Sequence, residues 1–231
     1  MKKGKIVIIY ALVLTIVISI AFWGSKAVTV FTEQAPFTGQ NTVIIDAGHG
    51  EPDGGTTSCT GIKECDINLE IALRLDDLMH LLGINTIMIR KTSDSVYTEG
   101  ETIAKKKISD LKNRVSLVNN TENATLVSIH QNYFSSSRYS GAQVFYNDNI
   151  NSKELASILQ KDFITNLNPG SKRQPKMGSG IYLLNNIDCT GILVECGFLS
   201  NPQEEYNLRT EEYQKKLCCV IATCLSTYLN A

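Results

Sequence analysis

The sequence predicts an α/β protein: a single domain on a mostly parallel, twisted sheet of about six strands, with helices on both faces. One N-terminal apolar segment precedes it. Three observations predict this. Short β-branched runs alternate with segments of helical period over residues 41–231. Glycine, asparagine and proline mark the joins between them. The 231-residue chain is 43% hydrophobic and 19% charged, an ordinary globular mixture that supports a packed core. Strands alternating with helices imply a parallel sheet covered on both sides.

Taken in order, Thr42–Ala47 reads as a buried strand. Asp66 is placed to cap a helix running to about Leu82, with Ile67, Ile71, Leu75, Leu78 and Leu82 on one face. Gly83 ends it, and Asn85–Arg90 is the next strand. A polar stretch, 91–104, leads into a helix ending near Asn119. Strands are expected at Thr125–His130, Gly141–Tyr146, Gly180–Leu184 and Gly191–Cys196, with a helix over Asn151–Leu167. In "SNPQEE", Asn201 suits an N-cap and Pro202 the first helical position, with Glu204 and Glu205 in the first turn. A final helix spans about Glu211–Leu229.

Residues 1–25 differ in kind. Lys2, Lys3 and Lys5 precede an uncharged, largely apolar run, Ile6 to Trp23, long enough to span a bilayer and longer than the usual core of a signal peptide. It predicts a signal-anchor with residues 26–231 on the outer side. A signal peptide cleaved at Ser25-Lys26-Ala27 is the alternative, and 26–40 is a polar tether to a domain over 41–231. Without those three lysines the chain is mildly acidic, which excludes the basic footprint of a nucleic-acid binder. Lys105–Lys107 and the Lys172/Arg173/Lys176 group are local exceptions that read first as solvated faces, with an anionic ligand at the second group as the alternative. The seven cysteines match no zinc-finger spacing. Cys218, Cys219 and Cys224 fall in a helical pattern and are expected to be small core residues.

Ligands of open parallel sheets bind beyond the carboxyl ends of the strands. That rule groups three side chains distant in sequence: His49 just past the first strand in "DAGHGEPDGG", His130 closing "TLVSIH", and Glu195 near the end of "GILVEC". Two histidines at one sheet edge with acids nearby point to a metal, and His₂Glu is a known catalytic zinc set. The carboxylate is Glu51, Asp53 or Glu64 by type. Glu64 stands first, because the other two sit so close to His49 that the turn would have to fold back sharply. Glu195, a lone acid in apolar company, suits a base that is not itself a ligand. His80 lies near a helix end and carries no role.

"VIIDAGHGEPDGG", "IKECDINLEIALRLDDLM", "SIHQN" and "ILVECGFLSNPQEE" resemble, in order, the four signature stretches of zinc-dependent N-acetylmuramoyl-L-alanine amidases of the amidase-3 family. The resemblance covers about residues 42–230. It implies one zinc ion held by His49, Glu64 and His130, with Glu195 as the catalytic glutamate. The reaction it implies is hydrolysis of the peptidoglycan amide between the lactyl group of N-acetylmuramic acid and the L-alanine of the stem peptide. Arg114 and Asn132 match recurrent family positions and are candidate substrate-binding residues, with buried structural hydrogen bonds as the competing reading. "KKKISDLKNRVSLVNN" and "GAQVFYN" resemble the germination-specific amidases of spore-forming bacteria. This implies a role in muramic-δ-lactam formation in the spore cortex, in the space between mother cell and forespore membranes. Thr190 where the family often has proline, and DAGHGE for DPGHGG, touch no expected ligand. An accessory regulatory protein is compatible with the sequence, which shows no site for one. The alternatives are an inactive peptidoglycan-binding protein of the same fold and a zinc hydrolase acting on another bond.

Overall fold

The structure, a computed structural model, describes residues 41–230. The expected signal-anchor and the tether lie outside the described residues.

Six strands form one sheet: β1 (Thr42–Ala47), β2 (Thr86–Met88), β3 (Ala124–Asn132), β4 (Gln143–Tyr146), β5 (Lys176–Met177) and β6 (Thr190–Phe198). Their order is β2-β1-β3-β6-β4-β5. β2, β1, β3 and β6 are parallel, whereas β4 runs antiparallel to β6 and carries β5 parallel to itself. The mostly parallel six-stranded sheet expected from the sequence is therefore present. Helices α1 (Glu64–Leu81), α2 (Ile103–Asn119), α3 (Ile150–Asn166), α4 (Tyr182–Asn186), α5 (Pro202–Leu208) and α6 (Glu211–Leu229) cover it.

The central strands are apolar on both sides because both sides are buried. Val43, Ile45, Val127, Ile129, Ile192 and Val194 join the larger core, against Ile71 and Leu75 of α1, Leu159 of α3 and Ile221 of α6. Their neighbours Ile44, Leu126 and Leu193 point the other way, against Val118 of α2 and Leu183 of α4. A one-residue slip of any of these strands would exchange the two faces, so the register is fixed by both cores.

The structure corrects several local expectations. Residues 180–184 are no strand: Tyr182–Asn186 is helical, and the edge strand falls earlier, at Lys176–Met177. Leu183 and Leu184 are adjacent and both buried in the same core, which a helical turn permits and a strand's alternation forbids. Helix α1 begins at Glu64, with Lys63 as an N-cap whose side chain makes no capping bond, so Asp66 lies inside the first turn and is not the cap. β2 is shorter than Asn85–Arg90, spanning Thr86–Met88, and Arg90 beyond it donates its side chain to loop carbonyls. Cys218 and Cys224 are core residues as expected, but Cys219 is exposed, and all seven thiols are free.

Candidate active site and metal centre

β1 delivers the chain to Gly48, whose N–H still bonds Ile129 O at 3.0 Å. The backbone then turns sharply: His49 adopts φ 59°, and Gly50 and Asp53 exchange backbone hydrogen bonds of 3.0 and 2.9 Å. Two glycines leave the space that the imidazoles fill. A Cβ on Gly48 would lie 2.2 Å from His130 Nε2. One on Gly55, at φ 69°, would lie 2.6 Å from Glu64 Oε2 and 2.8 Å from the His49 ring.

Glu64, the first residue of α1, stands between the two imidazoles. Its Oε1 is 3.0 Å from His130 Nδ1, and its Oε2 is 3.4 Å from His49 Nε2. Backbone N–H groups of Thr56 and Gln131 donate to the two oxygens at 3.0 and 3.2 Å, so the carboxylate is locked in place. The rings of His49 and His130 meet edge to face with centroids 5.0 Å apart. One ligand atom from each of the three residues lies within 4.8 Å of the others, the spacing that a single metal ion requires. Neither Glu51 nor Asp53 joins this group. Glu51 pairs with Lys63, and Asp53 receives the outer nitrogen of His49, Nδ1, at 3.1 Å. Asp53 is itself held by Lys107 Nζ at 2.9 Å. A carboxylate on the outer nitrogen fixes ring orientation and leaves Nε2 facing inward.

The electrostatics draw positive charge to this point. Burial opposes a charged His49, but hydrogen bonds to Asp53 and Glu64 override it and lift its pKa to about 9. Burial also pushes Glu64 up, yet the two imidazoles hold it well below the usual carboxylate range.

Glu195 lies in register with His130 on one side and Gln143 on the other. The residue is partly exposed, but its Oε2 is out of reach of solvent and has no hydrogen-bond partner. Burial drives this carboxyl up to about 7, partly offset by His130. It borders a cavity of about 350 Å³ that also contains His49, His130 and Asp53. A larger cavity, about 1010 Å³, opens at Asn132 and Phe198 and includes none of the histidines or glutamates just described. The donor geometry, and not cavity size, marks the candidate metal site.

Beneath the loop lies a charged framework that local sequence does not signal. Arg114 is 2% exposed. Its Nε bonds Asp110 at 2.8 Å, Nη1 bonds Asp46 and Ala47 O, and Nη2 bonds His49 O at 2.6 Å. Ser128 Oγ donates to the other oxygen of Asp46 at 2.5 Å. Arg90, likewise buried, donates to the carbonyls of Ala47, Gly48, Thr92 and Cys65. Two guanidinium groups thus hold the carbonyls around His49. Asn132 sits at the mouth of the larger cavity, with its carbonyl bonded by Leu199 N–H at 2.8 Å.

The profile of the N-acetylmuramoyl-L-alanine amidases matches residues 43–227. The chain belongs to that family. Over 188 residues it is 37% identical to the germination-specific N-acetylmuramoyl-L-alanine amidase of Bacillus subtilis (strain 168), covering 80% of this chain and 78% of that protein. Among solved structures, it resembles the CwlD amidase from Clostridioides difficile, determined in complex with the GerS lipoprotein. The TM-score is 0.79 at 38% identity, covering 82% of this chain and 98% of that one. An N-acetylmuramoyl-L-alanine amidase from Clostridium difficile 630 superposes with TM-score 0.73 at 30% identity, covering 84% and 99% of the two chains. The enzyme is thus a peptidoglycan amidase with the fold of its family, and its sheet edge carries a His/Glu/His site able to bind a metal.

Proposed function

We infer that this amidase holds one zinc ion with His49, Glu64 and His130. In this reading Glu195 is the general base on the amide joining the lactyl group of N-acetylmuramic acid to L-alanine. The observation that carries the reading is the coincidence of three mutually close ligand atoms with a buried, unpartnered Glu195 oxygen on the paired strand. The donor chemistry fits: two imidazoles and one carboxylate form a known catalytic zinc set that leaves a coordination position open. When bound, zinc supplies a Lewis acid that polarises the amide carbonyl and lowers the pKa of water.

The chain's own residues do the rest. Asp53, on the outer nitrogen of His49, keeps Nε2 directed inward, and Arg114 and Arg90 hold the backbone from which His49 projects. Glu195 Oε2 takes a proton from the attacking water and returns it to the departing alanine nitrogen, as the carbonyl gains a C–O bond and loses its C–N bond. A carboxyl held near neutrality serves both halves of that exchange. Arg114 and Asn132 fall in different places in this scheme. Arg114 supports the loop from below, and Asn132 stands where substrate leaves the reactive centre.

The same reading assigns the enzyme to spore cortex maturation, through muramic-δ-lactam formation needed for germination. It would work in the space between mother cell and forespore membranes, tethered by the Ile6–Trp23 segment. The similar Bacillus subtilis protein, named germination-specific, supports this role, and the Clostridioides difficile complex supports an accessory lipoprotein as partner.

The test digests purified peptidoglycan with zinc-loaded protein beside Glu195→Gln and identifies products by mass spectrometry. New L-alanine amino termini with intact muramic acid are expected from the native enzyme. The variant should retain one zinc per chain and lose about 10²–10⁴-fold in rate. Protein that holds zinc but cleaves nothing would sink the reading.

A further inference from the structure

We propose that the larger cavity, beside the reactive centre, is a subsite for the carboxylates of the stem peptide. The proposal rests on the amidase reading for the identity of the substrate.

The strand register places the cavity. His130 pairs with Glu195, but the next pair recorded is Asn132 with Phe198, so β6 spends three residues where β3 spends two. That irregularity turns Phe198 onto the sheet face that carries Glu195 and His130, because paired residues share a face. At roughly 3.3 Å per strand residue, Phe198 stands within about 10 Å of Glu195. Gln143, opposite Glu195 on the other side, lines the same cavity. The groove therefore starts where the reactive centre ends.

Its charge is one-sided. Arg138, Lys172, Arg173 and Lys176 line it, and among the described residues none of them forms an ion pair. The nearby carboxylate, Glu204, is committed elsewhere: its oxygens accept the N–H groups of Gly141 at 2.7 Å and Phe198 at 2.8 Å. Arg173 is held in position. Its Nε donates to Ser140 O at 2.9 Å, its Nη1 to Gln143 Oε1 at 3.3 Å, and its guanidinium carbon lies 4.8 Å from the Phe198 ring centroid. Among the described residues Nη2 makes no hydrogen bond, which leaves it to donate. Phe134 and Tyr139, each 49% exposed, continue the aromatic wall from Phe198, with ring centroids 4.7 Å apart.

Chemistry decides which part of the substrate fits. The N-acetylated sugars of the glycan are uncharged, and the lactyl carboxyl is tied up in the amide until it is cut. The negative charge of uncut substrate lies on the peptide. An extended peptide advances about 3.3–3.6 Å per residue, so carboxylates two to three residues beyond the scissile bond reach a groove that begins within 10 Å. The cations then recognise the peptide after its first alanine, while the glycan lies outside the groove.

The experiment uses metal-free enzyme, which reads binding without cleavage. Calorimetry would compare a stem tetrapeptide with free carboxylates, the same peptide with its carboxylates amidated, and a peptide-free glycan oligomer. The free acid should bind at least about tenfold tighter than the amide, and its affinity should fall as salt rises from 50 to 500 mM. In the combined variant Arg138→Gln, Lys172→Gln, Lys176→Gln, whose side chains make no ion pair among the described residues and which leaves Arg173 in place, the preference should shrink at unchanged Tm. An undiminished preference would overturn the role of these three cations. Equal affinity of native enzyme for acid and amide would overturn the proposal, as would displacement of the acid peptide by the glycan oligomer. Zinc-loaded enzyme then separates the two readings. Cleavage without acid preference removes the subsite and keeps the amidase, whereas acid preference without cleavage keeps the subsite and counts against the amidase reading.

Discussion

At Glu195 the cost of a buried acid and its proposed role as base meet in one atom. Oε2 is buried without a partner, and burial raises the pKa from 4.5 to about 7. The unfolded chain ionises this group near 4.5, so folding is favoured by its neutral form at low pH. That advantage is complete below about 4.5 and is lost as pH rises through 7. Glutamine carries no such charge. Metal-free Glu195→Gln should therefore gain on the native protein as pH rises from 5 to 8, by up to about 3 kcal/mol. Urea midpoints at the two pH values check this, and a pH-independent difference would show that the native carboxylate is solvated or paired. Residue chemistry of this type is legible in sequence: a lone glutamate near the end of "GILVEC" could be singled out without coordinates. Arg114, by contrast, matched a recurrent position but its partners did not announce themselves. Asp110 is its neighbour one turn back on the helix, but Asp46, Ala47 O and His49 O come from a distant segment, and only folding brings them to the same guanidinium.

Among the elements, those whose ends are set by their own residues matched the sequence best. Asn201 caps α5 as expected, its side chain accepting from Gln203 and Glu204 N–H at 3.0 and 3.2 Å. It also donates to Ser137 O and Tyr139 O, tying the aromatic wall of the larger cavity to the helix. Asn201→Ala should cost about 1–2 kcal/mol, somewhat above an ordinary cap, seen as a lowered urea midpoint. If the cost is that of a cap alone, the ties to Ser137 and Tyr139 contribute nothing. Elements set by their neighbours depart from local preference. β5 exists because it pairs with β4, and residues 180–184 coil because two adjacent leucines must reach one core. Glycine, serine and isoleucine before "YLL" suit a short strand as well as a turn, so local preference could not choose.

On the scale of the whole molecule, the proposed metal ties three parts of the fold together: the loop after β1, the start of α1 and the end of β3. An ion that binds only the folded state stabilises it by about 2.7 kcal/mol at a free concentration 100 times its Kd. For a domain of this size that corresponds to a rise in Tm of about 5–10 °C, abolished by excess chelator. Scanning calorimetry with and without zinc checks it, and an unchanged Tm would count against a bound ion at this site. The sequence by itself determined the alternation of strands and helices, the shared sheet edge of His49, His130 and Glu195, and a short set of acids, Glu51, Asp53 and Glu64, from which the proposed metal site would draw its carboxylate. These follow from hydrophobic period and from the rule that parallel strands present their carboxyl ends together, and both are written in neighbouring residues. Only the tertiary structure decided that Asp53 orients His49, that Arg90 and Arg114 hold the loop, and that an irregularity in β6 sets a cationic groove beside Glu195. Each of those depends on a distance between segments far apart in the chain, and such distances are fixed by packing across the whole sheet, not by any local preference.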